Sequence, residues 1–173
     1  IDDVEGGNSS SSLDGVSTDR IEGFFRRMFE RQREANGRVC IREFDSALCR
    51  IMRDRGEEAG RFIYENEQVR PFGILSIDWR GNYSTYSPEL LGISMGDYGE
   101  FSFGNVNSQS LSAAVQTPKF QRVLADVQAG VEKCRAQCAY FNLCGGGAPA
   151  NKFFENGSFA SGQTMYCRYA VQV

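Results

Sequence analysis

Four cysteines in the C-terminal part of this chain, Cys134, Cys138, Cys144 and Cys167, constrain it more than any other feature. The first three fall in one run, CRAQCAYFNLCGGG from Cys134 to Gly147, and the fourth returns after 22 intervening residues. Three thiolates so close together, joined by one from a distance, can surround a single metal centre. A [4Fe–4S] cluster takes four such ligands, and a local run with a remote fourth cysteine is a usual way to supply them. A tetrahedral zinc also takes four, but usually as two close pairs. Three residues separate Cys134 from Cys138 and five separate Cys138 from Cys144, so Cys144 and Cys167 make no second close pair. The spacing therefore points first to an iron–sulfur cluster, second to zinc in an interaction module without a redox role, and third to uncoordinated thiols.

The rest of the composition narrows the chemistry. The chain has 173 residues, 41% of them hydrophobic, which suits an ordinary globular core that needs no disulfides. There is no histidine. That removes the commonest general base, the Ser–His and Cys–His nucleophiles and every histidine metal site. Six cysteines without a secretory signal favour metal or redox roles over disulfides. A net charge of −3 with no dense basic stripe argues against nucleic acid. No apolar run has the length of a membrane span, so no membrane partner and a cytoplasmic location are expected. The chain begins with Ile1 and reads as a piece of something longer.

Along the chain, Ile1 to Ser17 read as a strand end and a loop. A helix is expected from about Asp19, capped by Asp19 with Glu22 in the capping-box position. Its apolar face is Ile21, Phe24, Phe25, Met28 and Phe29, and Asn36-Gly37 stops it. A second helix is expected from about Arg42 to Arg55, with Ile41, Phe44, Leu48, Ile51 and Met52 as its apolar positions. Cys40 and Cys49, lacking close cysteine neighbours, read as buried small hydrophobes. A charged segment after Gly56 suggests a short third helix. A β-hairpin follows, from Phe72 through the turn Asp78–Asn82 to Tyr86. Gly92 to Asn107 should hold another strand or a bent loop. Thr117-Pro118 opens a helix with the stripe Phe120, Val123, Leu124, Val127 and Val131, which ends just before Cys134.

The neighbours of the cysteines suit a bulky centre. Gly145-Gly146-Gly147 lets the backbone bend tightly and aim N–H groups at sulfur. It lacks the Gly-x-x-x-x-Gly-Lys pattern of a phosphate cradle. Tyr140, Phe141, Phe153, Phe154 and Tyr166 are candidates for shielding the site from water. Lys152 and Asn151 adjoin the loop and are candidates to contact peptide or tune a cluster, not catalytic residues, whereas Asp78, Glu100 and Glu155 read as surface carboxylates. A radical S-adenosylmethionine site uses Cys-x-x-x-Cys-x-x-Cys. Here the third position after Cys134 and Cys138 is Phe141, so the chain's own cysteines should not hold that cofactor.

From Ile74 to Arg168 the chain resembles the SPASM domain, the auxiliary-cluster domain of radical-SAM peptide-modifying enzymes. That family carries a Cys…Gly-x4-Cys block, then Cys-x2-Cys-x5-Cys-x3-Cys, then a last Cys. Gly81 fits the turn glycine, but Tyr86 stands where the following cysteine would be. Cys134, Cys138 and Cys144 fit the second block with one extra residue in the first gap. Ala148 replaces its fourth cysteine, and Cys167 fits the last. The absent ligands all belong to the family's first auxiliary cluster. The resemblance thus implies one auxiliary [4Fe–4S] cluster on Cys134, Cys138, Cys144 and Cys167.

The segments STYSPELLG from Ser84 and CGGGAPANKFFENGSF from Cys144 are similar to the maturases of glycine-rich-repeat peptides, which crosslink side chains of ribosomally made peptides. IDDVEGGNSSSSL is similar to the end of their radical-SAM barrel. The implied fold is α+β, with residues 1–67 as barrel tail and linking helices. Residues 68–173 would then form a SPASM-like domain with a small sheet and a helix leading into the cluster loop. The implied partners are a precursor peptide and an upstream barrel of the same protein. S-adenosylmethionine and its cluster would lie in that upstream part. The whole would be an oxidoreductase, although this chain alone lacks the radical-generating motif.

Overall fold

The computed structural model describes residues 15–56, 62–94 and 96–172. These described residues are α+β, with six α-helices, short 3-10 turns and one small antiparallel sheet. The helices are α1 (Thr18–Glu34), α2 (Arg42–Arg55), α3 (Leu111–Val115), α4 (Pro118–Gln137), α5 (Phe141–Cys144) and α6 (Pro149–Asn156). A further helical turn, Cys167–Val171, ends the described chain. The expected third helix after Gly56 falls partly on residues 57–61, outside the described residues.

Several elements form where the residues direct them. Strands β1 (Leu75–Ile77) and β2 (Asn82–Thr85) pair in antiparallel register, Leu75 with Thr85 and Ile77 with Tyr83. The Asp78 carboxylate accepts from the N–H groups of Arg80 and Asn82 at 2.8 and 2.9 Å, which fixes the turn. Strand β3 (Gly104–Asn105) adds to β2, so the glycine-rich stretch contributes both a short strand and bends. Thr117 caps α4 by accepting from the Phe120 N–H at 3.3 Å, with Pro118 at the first helical position.

Two boundaries and one expected burial differ from expectation. Helix α1 starts at Thr18 after an extended Ser17, so Asp19 lies in the first turn and caps nothing. There its charge favours the helix N-terminus through the dipole. Helix α4 runs to Gln137, because CRAQ contains no residue that breaks a helix, so Cys134 sits inside its last turn. Cys40 and Cys49 are exposed and not buried. The described residues leave that side of α2 uncovered, with Leu48 and Met52 exposed beside them.

The main core lies between the sheet, α4 and α6. Tyr83, Tyr86, Phe101, Phe120, Val123 and Phe159 are fully buried there. Phe120 packs edge-on to Phe103 and is stacked on Phe72, at 5.0 and 5.4 Å between ring centres. A second small core joins Ile21 and Phe25 of α1 to Met165 and Tyr169 of the C-terminal segment. Helix α2 meets α5 through Arg50, whose guanidinium lies 3.7 Å from the Tyr64 ring centre and donates to the Leu143 carbonyl at 3.1 Å. The main core governs stability. Phe120→Ala is expected to cost about 3–5 kcal/mol in urea unfolding, whereas Trp79→Ala, at a side chain 87% exposed, should stay within about 0.5 kcal/mol.

Candidate metal centre

The four cysteines come from three pieces of structure, the end of α4, α5 and the C-terminal turn, and line one cavity of about 380 Å³. Cys134 is in the last turn of α4, Cys138 is its C-cap, Cys144 ends α5 and Cys167 opens the C-terminal turn. Exposed Lys133, Gln137, Tyr140 and Gln163 also line this cavity. Cys40 and Cys49 do not. The Cys40 thiol donates to Asp45 at 2.6 Å, and Cys49 lines a separate groove on α2.

The local folding that gathers the sulfurs can be followed residue by residue. Gly145, Gly146 and Gly147 all take positive φ, at 66, 108 and 72°. This wraps the chain around Cys144, so that the Gly146 N–H donates to its Sγ at 3.4 Å. A Cβ at Gly145 would collide with the Tyr64 carbonyl oxygen. The buried Asn66 side chain donates to the carbonyls of Cys144 and Gly147 at 3.2 Å each and pins the loop. Cys167 is held from the other side. The Glu155 carboxylate accepts from the N–H groups of Met165 and Tyr166, just ahead of it. The Thr164 hydroxyl donates to Cys167 Sγ at 3.1 Å.

Electrostatics couple the sulfurs. Burial pushes the Cys134 thiol above its ordinary value. The neighbouring Lys152 ammonium opposes this, and the Cys167 and Cys138 sulfurs reinforce it. Burial likewise pushes the Cys144 thiol up, against the N–H groups of Gly146 and Gly147 and with the same two sulfurs. Repulsion between like charges acts between groups in one site.

Among the described residues, no three His, Cys, Asp or Glu side chains are gathered to hold one metal ion. A single tetrahedral ion would bring thiolate sulfurs to about 3.8 Å of each other, given metal–sulfur bonds of about 2.3 Å. Each sulfur of a cluster ligand set binds its own iron, so a wider spacing around a cavity suits that donor set.

Of the aromatic residues expected to shield the site, only Tyr140 lines the cavity. Phe141 is buried under the Arg135 guanidinium, 4.5 Å from its ring centre, and Phe153 and Phe154 pack at the edge of the main core. Tyr86 is fully buried in that core. Sequence reasoning missed Asn66 and Thr164. Thr164 lies three residues before Cys167, a spacing that brings a hydroxyl to a turn sulfur. Asn66 is 78 residues from Cys144 and left no such signal.

Two changes test the site. Gly157→Ala, at φ 71° in open space, should cost about 1–2 kcal/mol through the backbone alone. Gly145→Ala should cost about 1–3 kcal/mol more through its collision, and should weaken metal retention in chelator competition. Metal uptake near pH 7 should release protons, because raised thiols are protonated in the metal-free site. A weakly buffered indicator titration that detects no release would contradict this.

No family model matches the chain, and no solved structure matches it. It is similar to an uncharacterized protein, sll1766, of Synechocystis sp. (strain ATCC 27184 / PCC 6803 / Kazusa). The two are 42% identical over 173 residues, which cover 99% of this chain and 42% of that protein. The chain thus spans less than half the length of this relative.

Proposed function

We propose that this chain binds one auxiliary [4Fe–4S] cluster through Cys134, Cys138, Cys144 and Cys167. We further propose that it is the SPASM-like C-terminal part of a radical-SAM enzyme that crosslinks side chains of a ribosomally made peptide. The observation that carries the reading is the convergence of these four cysteines, and neither of the other two, on one cavity.

The surroundings support it. The donors are four soft thiolates with no histidine or water-binding carboxylate among them, a set suited to iron–sulfur ligation. Backbone N–H groups and the Thr164 hydroxyl reach two of the sulfurs, the kind of contact that tunes such a centre. Tyr86, which stands at a family cysteine position, is enclosed in the aromatic core, in keeping with a first auxiliary site replaced by packing. The length of the Synechocystis relative leaves room for the barrel that this reading requires.

When bound, the cluster supplies a one-electron acceptor. The chain's own residues do the rest. The four cysteines supply every ligand of a saturated centre, so none of its irons is left open for S-adenosylmethionine. The main core and α4 keep those ligands in place, and the rim residues Lys133, Gln137 and Tyr140 are exposed for contact with peptide or barrel.

Anaerobic reconstitution should give about four irons and four sulfides per site. Cys→Ala at 134, 138, 144 or 167 should lose most of that content, while Cys40→Ala and Cys49→Ala should keep it. Stoichiometric zinc with refusal of iron, or loss of iron from the Cys40 or Cys49 variant, would overturn the assignment.

A further inference from the structure

Lys152 is only 2% exposed, which is unusual for a lysine. It lies on α6, among the buried residues Pro149, Ala150 and Asn151. Its Nζ is 3.1 Å from the point a Cβ on Gly130 would occupy, one helical turn before Cys134 on α4. Its Cε is 3.8 Å from the equivalent point on Gly147, and Cys167 Sγ is 3.7 Å from that same point. The side chain therefore runs from beside Gly147 of the glycine loop to the turn of α4 that precedes Cys134. The Cys134 sulfur feels its charge. Among the described residues no carboxylate forms an ion pair with it.

A buried ammonium without a counter-charge is expensive, and proteins keep one only where an anion compensates it. Among the described residues no carboxylate does so. The anions at hand are the thiolates, and a four-thiolate iron–sulfur centre keeps a net negative charge. We infer that Lys152 is the built-in counter-charge of the four-cysteine site, a positioning residue that stabilises the more reduced state of a bound cluster and so raises its reduction potential. This rests on the cluster reading above. The direction follows from electrostatics: adding an electron makes the centre more negative, and a fixed cation in a low-dielectric setting favours that state. Lys133 offers the contrast. It lines the same cavity but is exposed, where water and salt screen its charge.

The test is the midpoint potential of the purified, anaerobically reconstituted protein, read by redox titration with visible and electron paramagnetic resonance spectra. Lys152→Met keeps the length and apolar stem and removes the charge. It should make reduction at least tenfold less favourable, a shift of about 59 mV or more to negative potential for one electron. Lys133→Met should shift the midpoint by much less, and Lys152→Arg should leave it near the unmodified value. A loaded Lys152→Met protein with an unchanged midpoint overturns the inference, as does an equal shift in Lys133→Met. If Lys152→Met folds by circular dichroism but takes up no cluster while Lys152→Arg does, the charge is needed even for assembly, and the inference stands. If neither variant loads, Lys152 acts through its shape and the inference falls. Failure of the unmodified protein to take up iron and sulfide would instead remove the cluster reading itself.

Discussion

The return of Cys167 to the cysteine run depends on one close approach, the passage of the 159–161 backbone over Gly130 of α4. Any side chain at Gly130 would meet the Phe159 carbonyl oxygen, with the Ser161 carbonyl oxygen 3.0 Å away. Because this position is bare, the chain after α6 can lie directly on the helix that ends in Cys134 and Cys138. Phe159 then enters the main core, where it packs 5.2 to 5.5 Å from Tyr98 and Phe101. The energy that closes the loop is thus hydrophobic burial in the main core. Cys167 thereby comes to line the same cavity as the other three cysteines.

With the loop closed, the polar groups around the site have a common sense. Glycine N–H groups, the Thr164 hydroxyl and the Lys152 ammonium all present positive ends to sulfur. Burial alone favours neutral thiols, so these groups work against burial and toward the charged form. Such a balance suits a site whose donors must become anions on binding. It also explains why Lys152 can remain in a place where lysine is rarely found. The second core, between α1 and the segment around Met165 and Tyr169, steadies the far end of the turn that begins at Cys167. The Tyr169 hydroxyl donates to the Val16 carbonyl at 3.0 Å, tying residues 153 positions apart.

Much of this was legible in the residues. The hairpin turn, the Thr117-Pro118 start of α4, the span of α2 and the bend at Gly145–Gly147 each follow from local chemistry. The four-cysteine grouping could also be read, because three members are local and the fourth had no competing partner. Legibility failed where long-range packing decided the outcome. The burial of Lys152 depends on Gly130, 22 positions earlier, a contact that no local pattern signals. The exposure of Cys49, Leu48 and Met52 could not be read from an amphipathic pattern, which marks a face as apolar without saying what covers it. The short helices α5 and α6 went unread: α5 is a single turn set by the cysteine loop, and α6 spans only Pro149–Asn156, although Pro149 at its start and Gly157 at its end mark it.

The claim on which the rest stands is that the four cysteines hold one polynuclear iron–sulfur centre. Iron K-edge X-ray absorption of the reconstituted protein tests it most directly. The account predicts a first shell of sulfur alone and a second shell of neighbouring iron. A first shell containing nitrogen or oxygen, or a sulfur shell with no iron neighbour, would contradict it.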